Sequence, residues 1–218
     1  MKTRPAARRA RVARPTRDVI LDAAERRFAE RGFAGVSVRE IAGDAGLKNQ
    51  ASLYHHFKNK KALYEAVLLR GVEPLVEIVS RSEIAGDAAD PVLEQVVDYL
   101  GSHPHLPRLI QRAGLDDTKT LRSTVTKLLS PLYAHGLRVL GASGGWDAAE
   151  MPHLAVGLYH LIFGYFANAA LLETMLAEDP RSPAALSRQV QFLKTAVARL
   201  LGGDTPAATL SRGLGSGR

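Results

Sequence analysis

The stretch that decides the reading is Ser37-Val38-Arg39-Glu40-Ile41-Ala42-Gly43-Asp44-Ala45-Gly46-Leu47-Lys48-Asn49-Gln50-Ala51-Ser52-Leu53-Tyr54-His55-His56-Phe57-Lys58-Asn59-Lys60-Lys61. Ser37 and Glu40 have the spacing of a capping box, in which the hydroxyl accepts from the N–H three residues on and the carboxylate reaches back to the N–H of the serine. Val38, Ile41, Ala42 and Ala45 then follow at i, i+3, i+4 and i+7, so a short helix buries one face. Gly46 suits the left-handed residue that ends such a helix. A second short helix is expected from Gln50 to His56, with Leu53 and Phe57 turned inward. At 1.5 Å per residue it is ~10 Å long, which a major groove about 12 Å wide accepts. Arg39, Lys48, Lys58, Lys60 and Lys61 surround it, and no acid occurs from Lys48 to Lys61.

Upstream, Ile20, Ala24 and Phe28 form the apolar stripe of a helix that starts at Arg17 and stops at Gly32. Three helices with a glycine turn make a helix-turn-helix unit. Residues 1–17 carry seven bases and no acid, which leaves 22 bases against 22 acids in the rest of the chain. Divided after Lys61, the first part is +9 and the remainder −2. Such asymmetry fits a polyanion-binding module on a nearly neutral body. Residues 1–16 read as a flexible basic arm, residues 17–62 as the helix-turn-helix domain, residues 63–202 as a larger helical domain, and residues 203–218 as a disordered tail.

The larger domain is helical throughout. A helix from Asn59 runs through Leu63 and Val67, with a kink or break expected at Pro74. Asp90-Pro91 opens the next helix, Pro104 and Pro107 bracket a short one, and a long one from Asp117 to Leu140 bends at Pro131. The most apolar stretch, Met151–Leu176, reads as one helix that must be covered on most sides. Ser182-Pro183 starts the last helix, which ends at Gly202. With no alternating pattern of useful length, the fold class is all-α.

The run from Arg17 to Leu63 resembles the DNA-binding domain of TetR/AcrR-type transcriptional regulators, through Phe28, Gly32-Phe33, Ser37-Val38, Ile41-Ala42, Ala45-Gly46-Leu47, Leu53-Tyr54-His55-His56-Phe57, Lys60 and Leu63. The resemblance implies base-edge contacts from Gln50, Ala51, Ser52 and His55. It implies phosphate contacts from Tyr54, His56 and Lys60, joined by Arg39, with Lys48 in the same cationic fringe. Tyr54 follows Gly46 by eight residues where the family has seven, which leaves the start of the recognition helix open. The resemblance also implies a homodimer reading a palindromic stretch of double-stranded DNA, with the last helices forming a four-helix interface. It further implies a repressor released by a small, largely apolar effector. The effector residues expected are Leu109, Arg112, Tyr133, His160, Phe163 and Asn168. An effector-independent dimeric DNA-binding protein is the alternative.

Other features exclude or compete. The chain has no cysteine, so disulfides and thiolate metal sites are excluded. Neither His103-Pro104-His105 nor the pair His153 and His160 has a further ligand at convincing spacing, so no metal or cofactor is expected. Gly141-Ala142-Ser143-Gly144-Gly145 matches G-x-S-x-G, the pattern of a serine hydrolase using Ser143, but that motif needs a strand before it and a helix precedes it here. The reading is therefore a non-enzyme with no membrane partner, since charges interrupt every apolar run before ~18 residues, and the expected location is the cytoplasm.

Overall fold

The computed structural model describes residues 16–81, 89–115, 119–142 and 146–202. The basic arm up to residue 15, the tail from residue 203 and Ser143 lie outside these residues. Every regular element among them is an α-helix: α1 (Thr16–Arg31), α2 (Val38–Asp44), α3 (Gln50–Tyr54), α4 (Lys60–Ser80), α5 (Ala89–Ser102), α6 (Leu106–Leu115), α7 (Lys119–Ala142), α8 (Met151–Ala167), α9 (Ala169–Leu176) and α10 (Pro183–Gly202).

In the head formed by α1 to α3, Ile20, Ala24, Phe28, Ile41, Ala42 and Leu53 are buried together. Gly32 (φ +72°) and Gly46 (φ +69°) take left-handed conformations at the ends of α1 and α2, positions where a side chain would add strain. Tyr64 of α4 closes this core: its ring stands edge-on to Phe28 at 4.9 Å and to Phe33 at 5.2 Å. Such pairs contribute ~0.5–1.5 kcal/mol each beyond the area they bury.

The expected break at Pro74 does not occur. α4 runs unbroken from Lys60 to Ser80 with Pro74 inside it, and so passes through the division expected after residue 62. Proline leaves the carbonyl four residues back, that of Arg70, without its helical donor. One residue on, Tyr99 of α5 donates its hydroxyl proton to the Gly71 carbonyl at 2.9 Å, and Leu68, Val72 and Leu75 are buried on either side. Packing thus holds a helix that local preference would interrupt. Arg70 also reaches across to α1, donating to Asp22 Oδ1 at 2.8 Å and Glu25 Oε2 at 2.6 Å.

A second correction concerns Met151–Leu176. It is two helices, α8 and α9, bent by 76°. Asn168 sits at the break and donates from Nδ2 to the Gly164 carbonyl at 2.9 Å, and the Tyr165 hydroxyl donates to the Pro180 carbonyl at 2.8 Å. Within one chain these helices are poorly covered: only Leu154, Phe163 and Phe166 of α8 are buried, and nothing of α9 is. Among the described residues no single helix is long and apolar enough to cross a membrane.

Candidate nucleic-acid interface

The capping box of α2 is closed in both directions. The Ser37 N–H donates to Glu40 Oε2 at 2.7 Å and the Glu40 N–H donates to Ser37 Oγ at 3.2 Å. The Ser37 hydroxyl also donates to this carboxylate at 2.8 Å, and Arg31 adds a third donor at 2.6 Å. The Ser37 backbone bond, then its hydroxyl and then Arg31, hold the Glu40 pKa down at about 2. Asp44, at the other end of α2, is gripped by two nitrogens of Arg27, and that hydrogen bonding lowers its pKa as well. With Asp22 and Glu25 held by Arg70, these four acids of α1 and α2 are engaged by arginines of the scaffold, while Arg39, Lys48 and Lys58 are exposed and Lys61, also exposed, pairs with Glu65 one turn on at 3.7 Å.

Asn49 is the N-cap of α3. Its Oδ1 accepts from the Ser52 N–H at 3.0 Å and from the Ser52 hydroxyl at 3.3 Å. This sets the start of the helix: Gln50 is its first residue. The helix ends at Tyr54, not His56, so it is ~7.5 Å long at 1.5 Å per residue. His55 is its C-cap, and His56 follows in the turn with its N–H donating to the Leu53 carbonyl at 2.9 Å. Leu53 is fully buried and Phe57 is 5% exposed; these two side chains anchor the helix and leave its other face free. Ten residues after Asn49, Asn59 caps α4 in the same way, accepting from the Ala62 N–H at 2.8 Å.

Of the residues expected at the interface, Arg39, Lys48, Gln50, Ala51, Tyr54, His55 and His56 are all exposed around α3. Ser52 is half-buried, and its hydroxyl proton is directed to Asn49, so outward it offers only lone pairs. Lys60 is half-buried too. Its Nζ lies 4.4 Å from the centre of the Phe33 ring, and loss of solvent lowers its pKa. Asn49 is the site residue that sequence reasoning misses; its signal is the side-chain acceptor three residues before Ser52.

Known proteins share this sequence pattern. Residues 20–67 match the model for bacterial regulatory proteins of the tetR family. Over 197 residues the chain is 27% identical to the HTH-type transcriptional repressor NicS of Pseudomonas putida, an alignment spanning 82% of this chain and 89% of that protein. Over 52 residues it is 48% identical to the HTH-type transcriptional repressor KstR2 of Mycolicibacterium smegmatis, spanning 24% of this chain and 25% of that one. Residues 20–67 thus form a DNA-binding domain of the tetR family. The chain is a DNA-binding transcriptional regulator. The fold extends the likeness: the TetR-family regulator PfmR of Thermus thermophilus superposes with a TM-score of 0.65 at 18% identity, covering 88% of this chain and 99% of that one.

The helical body of this regulator holds an apolar cavity of about 410 Å³ between the end of α4, α5, α7 and α8. Tyr133 and Phe163 line it, with Leu132 and Leu158. Leu109, Arg112, His160 and Asn168 do not. Leu109 is fully buried in the core. Arg112 Nη1 lies 3.7 Å from where a side chain on Gly32 would begin, against the head. His160 is exposed on α8 beside Tyr159, and Asn168 caps the break between α8 and α9. Among the described residues no three His, Asp or Glu side chains come together as a metal site.

Proposed function

We propose that this regulator is a homodimeric repressor in which two α3 helices read the half-sites of a palindromic operator, and that a small, largely apolar effector releases it. The observation that carries the reading is the division of charge in the head: scaffold arginines hold Asp22, Glu25, Glu40 and Asp44, and exposed cations with the free face of α3 remain outside. Gln50, Ala51 and His55 read base edges, while Arg39, Lys48, Tyr54, His56 and Lys60 bind phosphates; phosphate contacts set register and base contacts set sequence.

Dimerisation is supported by the apolar surface that one chain leaves uncovered. Val156 of α8 and Phe192 of α10 are 48% and 51% exposed. A side chain added at Gly157 or Gly164 would meet nothing within 4 Å, so a second helix can approach there closely. The cavity supports effector control, and linkage limits release to the effector's differential affinity for the two states of the head. Nothing observed favours the hydrolase reading: α7, a helix, leads toward Ser143, where the nucleophile elbow needs a strand.

Selection of bound duplexes from a random pool tests the reading. A twofold-symmetric site with half-sites ~34–36 Å apart, or a multiple of that, is expected. A purified protein that retains no duplex at low salt would refute it.

A further inference from the structure

The cavity wall specifies more about its occupant than that it is apolar. Nine of the fourteen residues that line it are aliphatic or phenylalanine, Val79, Val96, Leu129, Leu132, Ile162 and Phe163 among them, and none of the lining residues carries a charge. The polar ones are Thr126, Ser130, Tyr133 and Tyr159. Two of these have spent their protons: Thr126 donates to the Arg122 carbonyl at 2.9 Å and Ser130 to the Thr126 carbonyl at 2.7 Å. The phenols of Tyr133 and Tyr159 have no hydrogen-bond partner among the described residues. Tyr133 is 43% exposed and belongs to the rim. Tyr159 is half-buried, with its ring stacked on Phe163 at 4.7 Å.

From this arrangement we infer that the effector is an uncharged apolar molecule carrying a hydrogen-bond acceptor such as a ketone or ester oxygen, which the Tyr159 hydroxyl engages, and that carboxylates of the same skeleton are rejected. The inference rests on the effector reading above. A carboxylate here would give up its hydration with no cation to replace it, a heavy cost in an apolar site. A neutral carbonyl gives up little and gains a hydrogen bond from the inner donor of the wall. Burial raises the Tyr159 pKa, so the phenol keeps its proton and acts as a donor. Gly136 lines the same cavity, and a side chain added there would meet nothing within 4 Å. A larger residue at this position therefore starts in open space at the cavity wall.

The test uses the full-length protein and a neutral fluorescent probe, N-phenyl-1-naphthylamine, displaced at pH 8 by decan-2-one or by decanoate. The probe is expected to brighten on binding the wild type and not on binding Gly136→Phe or the milder Gly136→Leu, each checked to melt as the wild type does. Decan-2-one is expected to displace it at least ~30-fold more effectively than decanoate. Tyr159→Phe is expected to weaken decan-2-one by about 3- to 10-fold while leaving the probe's own affinity within about 2-fold. Equal competition by decanoate, or an unchanged decan-2-one affinity in Tyr159→Phe, overturns the inference and leaves an effector cavity standing. A probe that stays dark with the wild type, or brightens equally with both Gly136 variants, removes the cavity as a ligand site and the effector reading with it.

Discussion

The ammonium of Lys60 stands 4.4 Å from the centre of the Phe33 ring, so the first residue of α4 is fixed against the turn that follows α1. A lysine held in this way has given up much of its rotamer freedom before it meets DNA, which lowers the entropy cost of binding a phosphate. Lys60→Met keeps an apolar stem on Phe33 and removes the charge. Its affinity is expected to fall alike on operator and unrelated duplexes, and the slope of log K against log salt to flatten by about 0.9 for each phosphate that is no longer neutralised. An unaltered slope would remove Lys60 from the phosphate-binding set.

Arg70 ties the head to the body. Its two terminal nitrogens reach Asp22 and Glu25 of α1 from the middle of α4, and Glu25 is only 15% exposed at its side chain. Arg70→Met leaves both carboxylates without that partner and is expected to cost ~1.5–3 kcal/mol, as for hydrogen bonds to charged groups. Urea unfolding should show a lower midpoint at an unchanged slope. A midpoint equal to that of the wild type would mean the bridge contributes nothing.

Much of the head is legible in the sequence because its determinants are local. Ser37 and Glu40 are three residues apart and close their box through each other, and Gly32 and Gly46 mark turns that need positive φ. Asn49 uses the same short-range chemistry, yet the expectation of a seven-residue spacing hides it. The body is different. Pro74 reads as a break because the packing of its neighbours and the Tyr99 hydroxyl on Gly71 come from distant sequence. The bend at Asn168 has no proline or glycine to announce it, since apolar residues continue on both sides and Pro180 helps hold the corner. Which residues face the cavity depends on how α7 and α8 are rotated against each other. Periodicity alone therefore does not separate Phe163, in the cavity wall, from His160, on the outside.

His135 gives the body a pH dependence. It is 8% exposed; Arg138 Nη2 donates to its Nδ1 at 3.1 Å, which places the proton of the neutral ring on Nε2, and Nε2 has no partner. Burial first, and the Arg138 charge second, lower its pKa from the ordinary 6.5. The folded state therefore binds a proton less readily than the unfolded one, so this contribution to stability is complete above about 6.5 and is lost as pH falls from there through the folded value. His135→Leu removes the titration and the orphan donor together. It is expected to flatten the melting temperature between pH 7 and pH 5 and to add ~1–3 kcal/mol at acidic pH. A variant that loses stability on acidification as steeply as the wild type would assign the effect to another group.

The uncovered face of α8 makes the last prediction. Gly157 and Gly164 are seven residues apart, two turns along one side of the helix, and neither would crowd its own chain if it carried a side chain. Replacing both with glutamate should therefore leave the single chain folded, because the new carboxylates would face solvent there. In a dimer packed on this face, the same carboxylates would be buried close to their symmetry mates without a cation, and burial of unpaired charge is not tolerated. The double variant is expected to sediment as a monomer with wild-type helical content. It should also bind a two-half-site duplex at least ~100-fold more weakly, since the second head would no longer be delivered by the first. Sedimentation of the double variant as a dimer would place the interface elsewhere on the molecule.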